Sequence, residues 1–219
     1  MELFLNDKLG KINVEVEKAS RPQAVLIIAH GAGAGMHHPF MGNLAKGLAN
    51  KDIHAIRFNF PYMEQGRKSP GSPKANIETW RLVVEHISTI YEGLDIFISG
   101  KSYGGRMASH LMAENPTYKV KGVIYYGFPL HAPGRDSIDR ASHLSEVKVP
   151  QLFLQGSKDK LANIDLINEV IGGLSNVKLE VIQDGDHSFN VPKKSGKTKE
   201  EVMEFLIAQS ADWIKSKLD

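Results

Sequence analysis

The sequence predicts an α/β fold with a mostly parallel central sheet and helices on both of its faces. Short apolar segments typical of strands alternate with longer amphipathic segments along the chain. This alternation continues without an internal repeat or a recognisable linker. A chain of 219 residues is long enough for one α/β domain with a sizeable core. We therefore expect residues 1–219 to form a single domain.

Seven strands are predicted from short apolar segments. The first alternates strictly between apolar and polar residues, as a half-exposed edge strand does. The second is apolar throughout, as an inner strand of a parallel sheet is. In chain order the predicted strands cover residues 12–17, 25–30, 53–58, 96–98, 120–126, 151–155 and 179–182.

Five helices are predicted between and after these strands. The second of them begins at Pro73, carries apolar residues three and four apart, and ends at Gly93. The last begins at Thr198 with Glu201 three residues later, which is the pattern of a capping box. In chain order the predicted helices cover residues 40–49, 73–92, 106–113, 166–171 and a final segment from 198.

The motif Gly-Lys-Ser-Tyr-Gly-Gly at residues 100–105 lies between a predicted strand and a predicted helix. G-x-S-x-G in this position is the signature of a nucleophile elbow, which raises a serine hydroxyl above the edge of the sheet in α/β-hydrolases. Glycines are needed on both sides of Ser102 because the turn leaves no space for larger side chains. We therefore predict an α/β-hydrolase fold with Ser102 as the nucleophile.

A serine nucleophile requires a general base, and the base requires an acid that orients it. In α/β-hydrolases the chain order is serine, acid, histidine. Asp159 follows the strand of residues 151–155, and His187 follows the strand of residues 179–182. Both are therefore expected at the carboxyl edge of the sheet. Asp184 and Asp186 are the alternative acids.

Acyl transfer also requires backbone donors for the developing oxyanion. The first inner strand runs into His-Gly-Ala-Gly-Ala-Gly at residues 30–35, a pattern similar to the oxyanion loop of lipases and esterases. We assign one donor to the N–H of Tyr103 and the other to the N–H of Ala32, with Gly33 as the neighbouring option. Small residues here allow the backbone to approach a carbonyl closely.

Other interpretations of these motifs fit less well. A dinucleotide-binding G-x-G-x-x-G would need glycine or alanine where the chain has Met36 or His38. A phosphate loop ending in Gly-Lys-Ser would need glycine in place of Asp95. The adjacent His37 and His38 point in different directions and have no carboxylate at ligand spacing, so no metal site is expected.

The cleft above the serine should be open, because residues 127–150 are only long enough for an ordinary connection and not for a large lid. Several residues follow strand ends or adjoin the nucleophile and could line this cleft. They are His30, Tyr62, Met63, Glu64, Lys101, Phe128 and Leu130.

Taken together, six segments resemble one small group of α/β-hydrolases. They are HGAGAG at 30–35, FNFPYME at 58–64, GKSYGGR at 100–106, YGFPLH at 126–131, LQGSKD at 154–159 and GDHSF at 185–189. The group includes uncharacterised bacterial hydrolases, animal testis-expressed proteins and a subunit of the NSL chromatin complex, and is similar more distantly to dienelactone hydrolases. The resemblance implies a triad at Ser102, Asp159 and His187. His37 stands where the group leads us to expect a small acidic residue.

Composition excludes several other classes of function. The net charge of +2 is too small to indicate a nucleic-acid partner, and the basic residues 193–199 are typical of a solvated loop. The chain has no cysteine, which excludes disulfides, a thiol nucleophile and zinc–thiolate sites. We see neither a signal peptide nor a segment long enough to span a membrane, and expect a cytoplasmic location.

These observations predict a serine hydrolase that cleaves a small ester or thioester and needs no cofactor. They leave two alternatives open. The first is a binding module on a hydrolase scaffold without turnover, because fold alone does not determine activity. The second is lyase or transacylase chemistry on the same residues.

Overall fold

The computed structural model describes residues 1–115 and 118–218. Its centre is an eight-stranded sheet in which the strands lie in the order β1-β2-β4-β3-β5-β6-β7-β8. The strands are β1 (Glu2–Asn6), β2 (Gly10–Glu17), β3 (Ala24–Ala29), β4 (Ile53–Phe58), β5 (Asp95–Lys101), β6 (Gly122–Tyr126), β7 (Gln151–Gly156) and β8 (Val177–Ile182). β1 and β2 pair antiparallel to their neighbours, and the six strands from β4 to β8 are parallel. The predicted mostly parallel sheet is confirmed.

Helices cover both faces of the sheet. They are α1 (Pro39–Ala49), α2 (Pro61–Glu64), α3 (Pro73–Ile90), α4 (Tyr103–Glu114), α5 (Ile164–Gly172) and α6 (Lys199–Lys215). Side chains of β3 alternate between two apolar cores, with Ile27 facing α3 and α4, and Leu26 facing α1 and α6. Because every residue of β3 is buried, its sequence is apolar throughout.

Capping signals in the sequence mark the helix ends correctly. The Asn163 side chain accepts a hydrogen bond from the N–H of Asp165 at the start of α5. Thr198 and Glu201 form the predicted capping box, each bonded to the other's backbone N–H. The structure adds two elements that we did not predict, strand β1 and the single-turn helix α2, which Pro61 begins.

No lid covers the carboxyl edge of the sheet. Residues 127–150, all of which the structure describes, contain two single 3₁₀ turns at Asp139–Ala141 and Leu144–Glu146 and one isolated bridge between Ala132 and Arg135. The cleft is therefore open, as predicted. Within residues 1–115 and 118–218, no helix combines the length and the apolar character needed to cross a bilayer.

Candidate active site

Ser102 lies in a tight turn between β5 and α4. Its backbone has φ 51° and ψ −114°, a conformation that residues other than glycine rarely adopt. The turn brings backbone segments so close that a Cβ on Gly104 would lie 2.6 Å from the carbonyl oxygen of His30. A Cβ on Gly100 would collide with the backbone of Gly104 and Gly105. The glycines of the motif are therefore required by contact distances.

The structure brings Ser102, His187 and Asp159 into one hydrogen-bonded chain. His187 Nε2 lies 2.8 Å from Ser102 Oγ, and His187 Nδ1 lies 2.7 Å from Asp159 Oδ2. These distances suit a base that takes the serine proton and an acid that orients the base. The Asp159 side chain is fully buried, whereas the imidazole remains partly exposed to the cleft.

Two further donors hold the Asp159 carboxylate. Gln155 Nε2 donates to Oδ2 at 2.6 Å, and the N–H of Leu161 donates to Oδ1 at 2.7 Å. Gln155 is itself fixed, because its Oε1 accepts a hydrogen bond from the N–H of Phe128 at 2.9 Å. Sequence analysis missed Gln155. Its only signal was a polar residue near the carboxyl end of a strand whose centre is apolar.

Asp186 has a different role from Asp159. Its Oδ1 accepts hydrogen bonds from the backbone N–H groups of Ser188 and Asn190, both at 2.8 Å. These bonds shape the loop that carries His187. Asp184 lies in the turn before it, where its N–H donates to Ser157 Oγ. Of the three candidate acids, the structure therefore places Asp159 alone on the imidazole.

His30 holds the loop that follows β3. The N–H of Phe60 donates to His30 Nε2 at 3.1 Å, so Nε2 carries no proton and Nδ1–H donates to the Gly31 carbonyl at 2.7 Å. In a trans peptide the C=O and the following N–H point in opposite directions. The N–H of Ala32 is therefore directed away from the His30 ring.

Three more contacts fix this loop. Tyr62 donates its hydroxyl proton to the Ala32 carbonyl at 2.9 Å. Asn59 Oδ1 accepts from the N–H of Met36 at 2.8 Å, and Arg57 Nη1 donates to the Met36 carbonyl at 3.0 Å. The peptide groups that could receive an oxyanion are thus oriented before any substrate arrives.

The state of His30 makes stability dependent on pH. Burial lowers its pKa from the ordinary 6.5 to about 4, against the opposing effect of its bond to Gly31. Between these values the unfolded chain binds a proton that the folded protein does not, so the free energy of unfolding falls as pH decreases from about 6.5 to about 4. We expect a loss of up to about 3 kcal/mol from this residue, measured by urea unfolding across that range.

The variant His30→Gln should be less stable than the wild type at pH 7 and should lose less stability on acidification. His143, whose pKa burial also lowers to about 4, leaves a remaining slope. His86 is exposed on α3, so His86→Gln is the matched control and should keep the wild-type dependence. If the free energy of unfolding of His30→Gln fell with decreasing pH as steeply as that of the wild type, this would contradict the conclusion that His30 is buried and neutral.

Lys101, the last residue of β5, connects that strand to the His187 loop. Its ammonium donates to the His187 carbonyl and lies 4.9 Å from the centroid of the Phe189 ring. Burial lowers its pKa to about 8, although the charges of Asp159 and Asp186 act in the opposite direction. Because its charge is engaged by the protein, we assign Lys101 to the architecture of the site rather than to an anionic substrate.

A cavity of about 370 Å³ opens above Ser102. Its walls include the loop of residues 31–34, the side chains of Phe40 and Met41 at the start of α1, and Leu161 on the acid's side. His30 and Lys101 also contribute to the lining, as expected from the sequence. This volume suits a small reacting group.

The other predicted lining residues do not line this cavity. Glu64 binds the backbone N–H and side-chain amide of Asn13 on β2, so it supports the fold. Phe128 and Leu130 are buried, with Phe128 packed against aromatic rings of the core. Tyr62 and Met63 lie behind the oxyanion loop, Tyr62 through its bond to Ala32 and Met63 beside Gly35.

Solved structures with the same fold cover nearly the whole chain. A dienelactone hydrolase from Anabaena variabilis superposes with a TM-score of 0.80 at 17% identity, covering 100% of this chain and 99% of the other. An alpha-beta serine hydrolase homologue from Coxiella burnetii gives 0.76 at 19% identity, with 96% of each chain covered. A serine hydrolase without a lid from Xanthomonas campestris gives 0.67 at 21% identity, with 86% of each chain covered.

A family model adds a direct match to the sequence. The alpha/beta hydrolase domain model matches residues 22–215, which include β3 with its glycine loop, the elbow, the acid and the histidine. The eight-stranded sheet, the strained turn at Ser102 and this match agree with one another. The chain belongs to the alpha/beta hydrolase domain family.

Proposed function

We propose that this protein is a serine hydrolase that cleaves small esters or thioesters through an acyl-enzyme. The observation that carries the proposal is the hydrogen-bonded chain from Ser102 through His187 to Asp159, which opens onto a cavity beside a preset glycine loop. Acyl transfer by a serine, a histidine and an aspartate needs no cofactor. The solved structures described as esterases and serine hydrolases support the reaction class by analogy.

In the first step Ser102 Oγ attacks the substrate carbonyl while His187 Nε2 takes its proton. Asp159 keeps Nδ1 protonated and stabilises the imidazolium that forms. The carbonyl oxygen becomes an oxyanion, which we assign to the N–H groups of Tyr103 and Ala32, with Gly33 as the neighbouring alternative. Each such donor contributes about 3 kcal/mol to transition-state stabilisation in enzymes where it has been removed.

The tetrahedral intermediate then collapses. The bond from carbonyl carbon to the leaving oxygen or sulfur breaks, and the leaving atom takes the proton from His187 Nε2. Water attacks the acyl-enzyme with His187 again acting as base, and the acid is released as Ser102 regains its proton. The N-terminus of α4 directly after Ser102 adds a favourable dipole for the oxyanion.

Covalent labelling tests this proposal directly. A fluorophosphonate probe should label the wild type, and peptide mapping should place the adduct on Ser102. Ser109 provides an internal control, because its Oγ lies 2.7 Å from His143 Nε2 but it is buried on α4. Ser109→Ala should label as the wild type does. Absence of labelling together with absence of p-nitrophenyl acetate hydrolysis would refute the hydrolase proposal.

The same experiment separates the alternatives predicted from the sequence. The first alternative is a binding module without turnover, which the resemblance to testis-expressed and chromatin-complex proteins suggests. Such a module has no physical need of a complete triad, and it would give neither label nor product. Lyase or transacylase chemistry would label Ser102 but would give products other than the free acid.

Gln155 is proposed as a positioning residue for Asp159. Gln155→Met removes the hydrogen-bond donor to Asp159 Oδ2 and leaves the carboxylate less firmly oriented. We expect kcat to fall about 10- to 100-fold, the loss seen when the hydrogen-bond partner of a metal-binding side chain is removed in a metalloenzyme. KM should change little, because Gln155 contacts Asp159 and does not line the cavity above Ser102. Steady-state kinetics measures kcat and KM separately.

Gln151 is the matched control for Gln155. It lies on the same strand, is equally buried, and accepts a hydrogen bond from Tyr125 far from the triad. Gln151→Met should cost stability without altering kcat or KM. Equal effects of the two substitutions on kcat would show that Gln155 acts only through stability.

A further inference from the structure

A second cavity adjoins the cleft on the side of His187. It has a volume of about 610 Å³ and lies between the start of α1, the start of α6 and the loop after His187. His38, Phe40 and Ser188 line both cavities, so the two are neighbours that share part of a wall. We call this second cavity the α1–α6 groove.

The floor of the α1–α6 groove is apolar. Phe40 stacks on Phe189 with ring centroids 5.8 Å apart and an interplanar angle of 20°. Partly exposed Met203 of α6 adds apolar surface, and Val202 and Leu206 are buried beneath it. The rim carries exposed Lys199, Glu200 and Glu204, whose mixed charges do not favour an anionic ligand. The groove therefore suits an uncharged, mainly apolar group.

The chemistry of the triad determines which part of a substrate lies on this side. His187 Nε2 must protonate the leaving oxygen or sulfur, so that atom starts beside the imidazole. Ser188, the next residue, lines both the cleft and the groove. A chain attached to the leaving atom therefore begins next to Ser188 and Phe40, the residues at which the cleft and the groove adjoin.

We propose that the α1–α6 groove binds the alcohol or thiol part of the substrate, which makes the preferred substrate a small acyl group joined to an extended apolar alcohol or thiol. This inference rests on the proposed hydrolase function. The small cavity above Ser102 holds the acyl group, and the groove holds the group that departs in the first step.

Two series of esters test the assignment. The first series consists of ethyl, butyl and hexyl acetate, which differ only in the alcohol. The second consists of ethyl acetate, ethyl butyrate and ethyl hexanoate, which differ only in the acyl group. Because kcat/KM reports acylation, it should rise from ethyl to hexyl acetate, with each methylene that is fully buried adding up to about fourfold. The acyl series should show no comparable gain. Titration of the released acid measures both.

Met203→Trp should fill the groove, because Met203 is only partly buried and lines it. We expect this variant to lower the ratio of kcat/KM for hexyl acetate to kcat/KM for ethyl acetate by about tenfold or more. Gln209→Trp, further along α6 and outside the groove lining, is the control and should keep the gain. Met203→Phe is a milder second variant should the tryptophan prevent folding.

Each other result overturns the inference. If Met203→Trp slows ethyl hexanoate instead of hexyl acetate, the groove holds the acyl chain. If it slows neither, the groove takes no part in binding. Failure of the proposed function is distinguishable from both, because the wild type would then hydrolyse no ethyl acetate and take up no fluorophosphonate label.

Discussion

Ser102→Ala is expected to lower kcat for short p-nitrophenyl esters by about 10⁴-fold or more, to the level left by substrate binding and oxyanion contacts alone. In the proposed mechanism this hydroxyl forms the acyl-enzyme, because His187 Nε2 lies 2.8 Å from its Oγ and can take its proton. Alanine keeps the same backbone demand at φ 51°, so the fold should be retained. Steady-state kinetics with acetate to octanoate esters measures the loss.

The double variant Ser102→Ala/His187→Ala should be no slower than the single one, because the two residues act as a unit and the second has nothing left to activate. Thermal unfolding of all variants checks that structure is preserved. Hydrolysis by Ser102→Ala at more than a hundredth of the wild-type rate would assign the nucleophile to another residue. The chain-length profile of the wild type reports the size of the acyl site.

Gly100→Ala is expected to abolish activity and to destabilise the protein by about 3 kcal/mol or more. Its added Cβ would collide with the backbone of Gly104 and Gly105, which begin α4 and cannot move independently of the elbow. Relief of this collision must open the turn and displace Ser102 from His187. Urea unfolding and ester hydrolysis on the same preparation measure the two consequences.

Gly172 offers a matched control at the end of α5, where an added Cβ meets no atom within 4 Å. Gly172→Ala should leave activity unchanged and stability within about 1 kcal/mol of the wild type. A Gly100→Ala protein with wild-type stability and activity would show that the elbow is looser than the structure indicates.

The triad could be predicted because its three residues are marked by local sequence patterns, which can be recognised before the fold is known. Ser102 was marked by its glycines, and Asp159 and His187 by their positions after strands in the order expected for this architecture. The structure brings these three together, and their catalytic role remains our proposal. Local signals also predicted the inner parallel strands, because a short continuous apolar segment bounded by turn residues is typical of a strand buried on both faces.

What sequence analysis missed depended on pairing between distant segments. Glu64 was predicted to line the cleft, but β2 lies beside β4 in the sheet and brings Asn13 to it instead. Phe128 and Leu130 follow β6 in sequence, yet they turn into the core. β1 was not predicted because its buried apolar face consists of Leu3 and Leu5 alone. The exposed Phe4 between them interrupts the alternation of apolar and polar residues that is typical of an edge strand.

The loops that carry the acid and the base are joined closely to one another. The N–H of Lys158 donates to the Gly185 carbonyl at 2.9 Å, and the N–H of Ser157 donates to the Ile182 carbonyl at 3.0 Å. A Cβ on Gly156 would lie 2.6 Å from the Asp186 carbonyl. Asp159 and His187 thus belong to one mechanical unit, whereas Ser102 belongs to the elbow.

We therefore expect relative motion within the site to occur mainly between the elbow, which carries Ser102, and the linked loops that carry Asp159 and His187. Among the described residues two hydrogen bonds span the gap between these two parts, one between Ser102 and His187 and one from the Lys101 ammonium to the His187 carbonyl, and the same ammonium lies against the Phe189 ring. In the proposed mechanism the serine–histidine bond is broken and remade in every turnover, so the Lys101 contacts keep the elbow and the linked loops aligned. On warming, the distance between Ser102 and His187 should widen before the distance between His187 and Asp159 does, and activity should be lost ahead of the sheet.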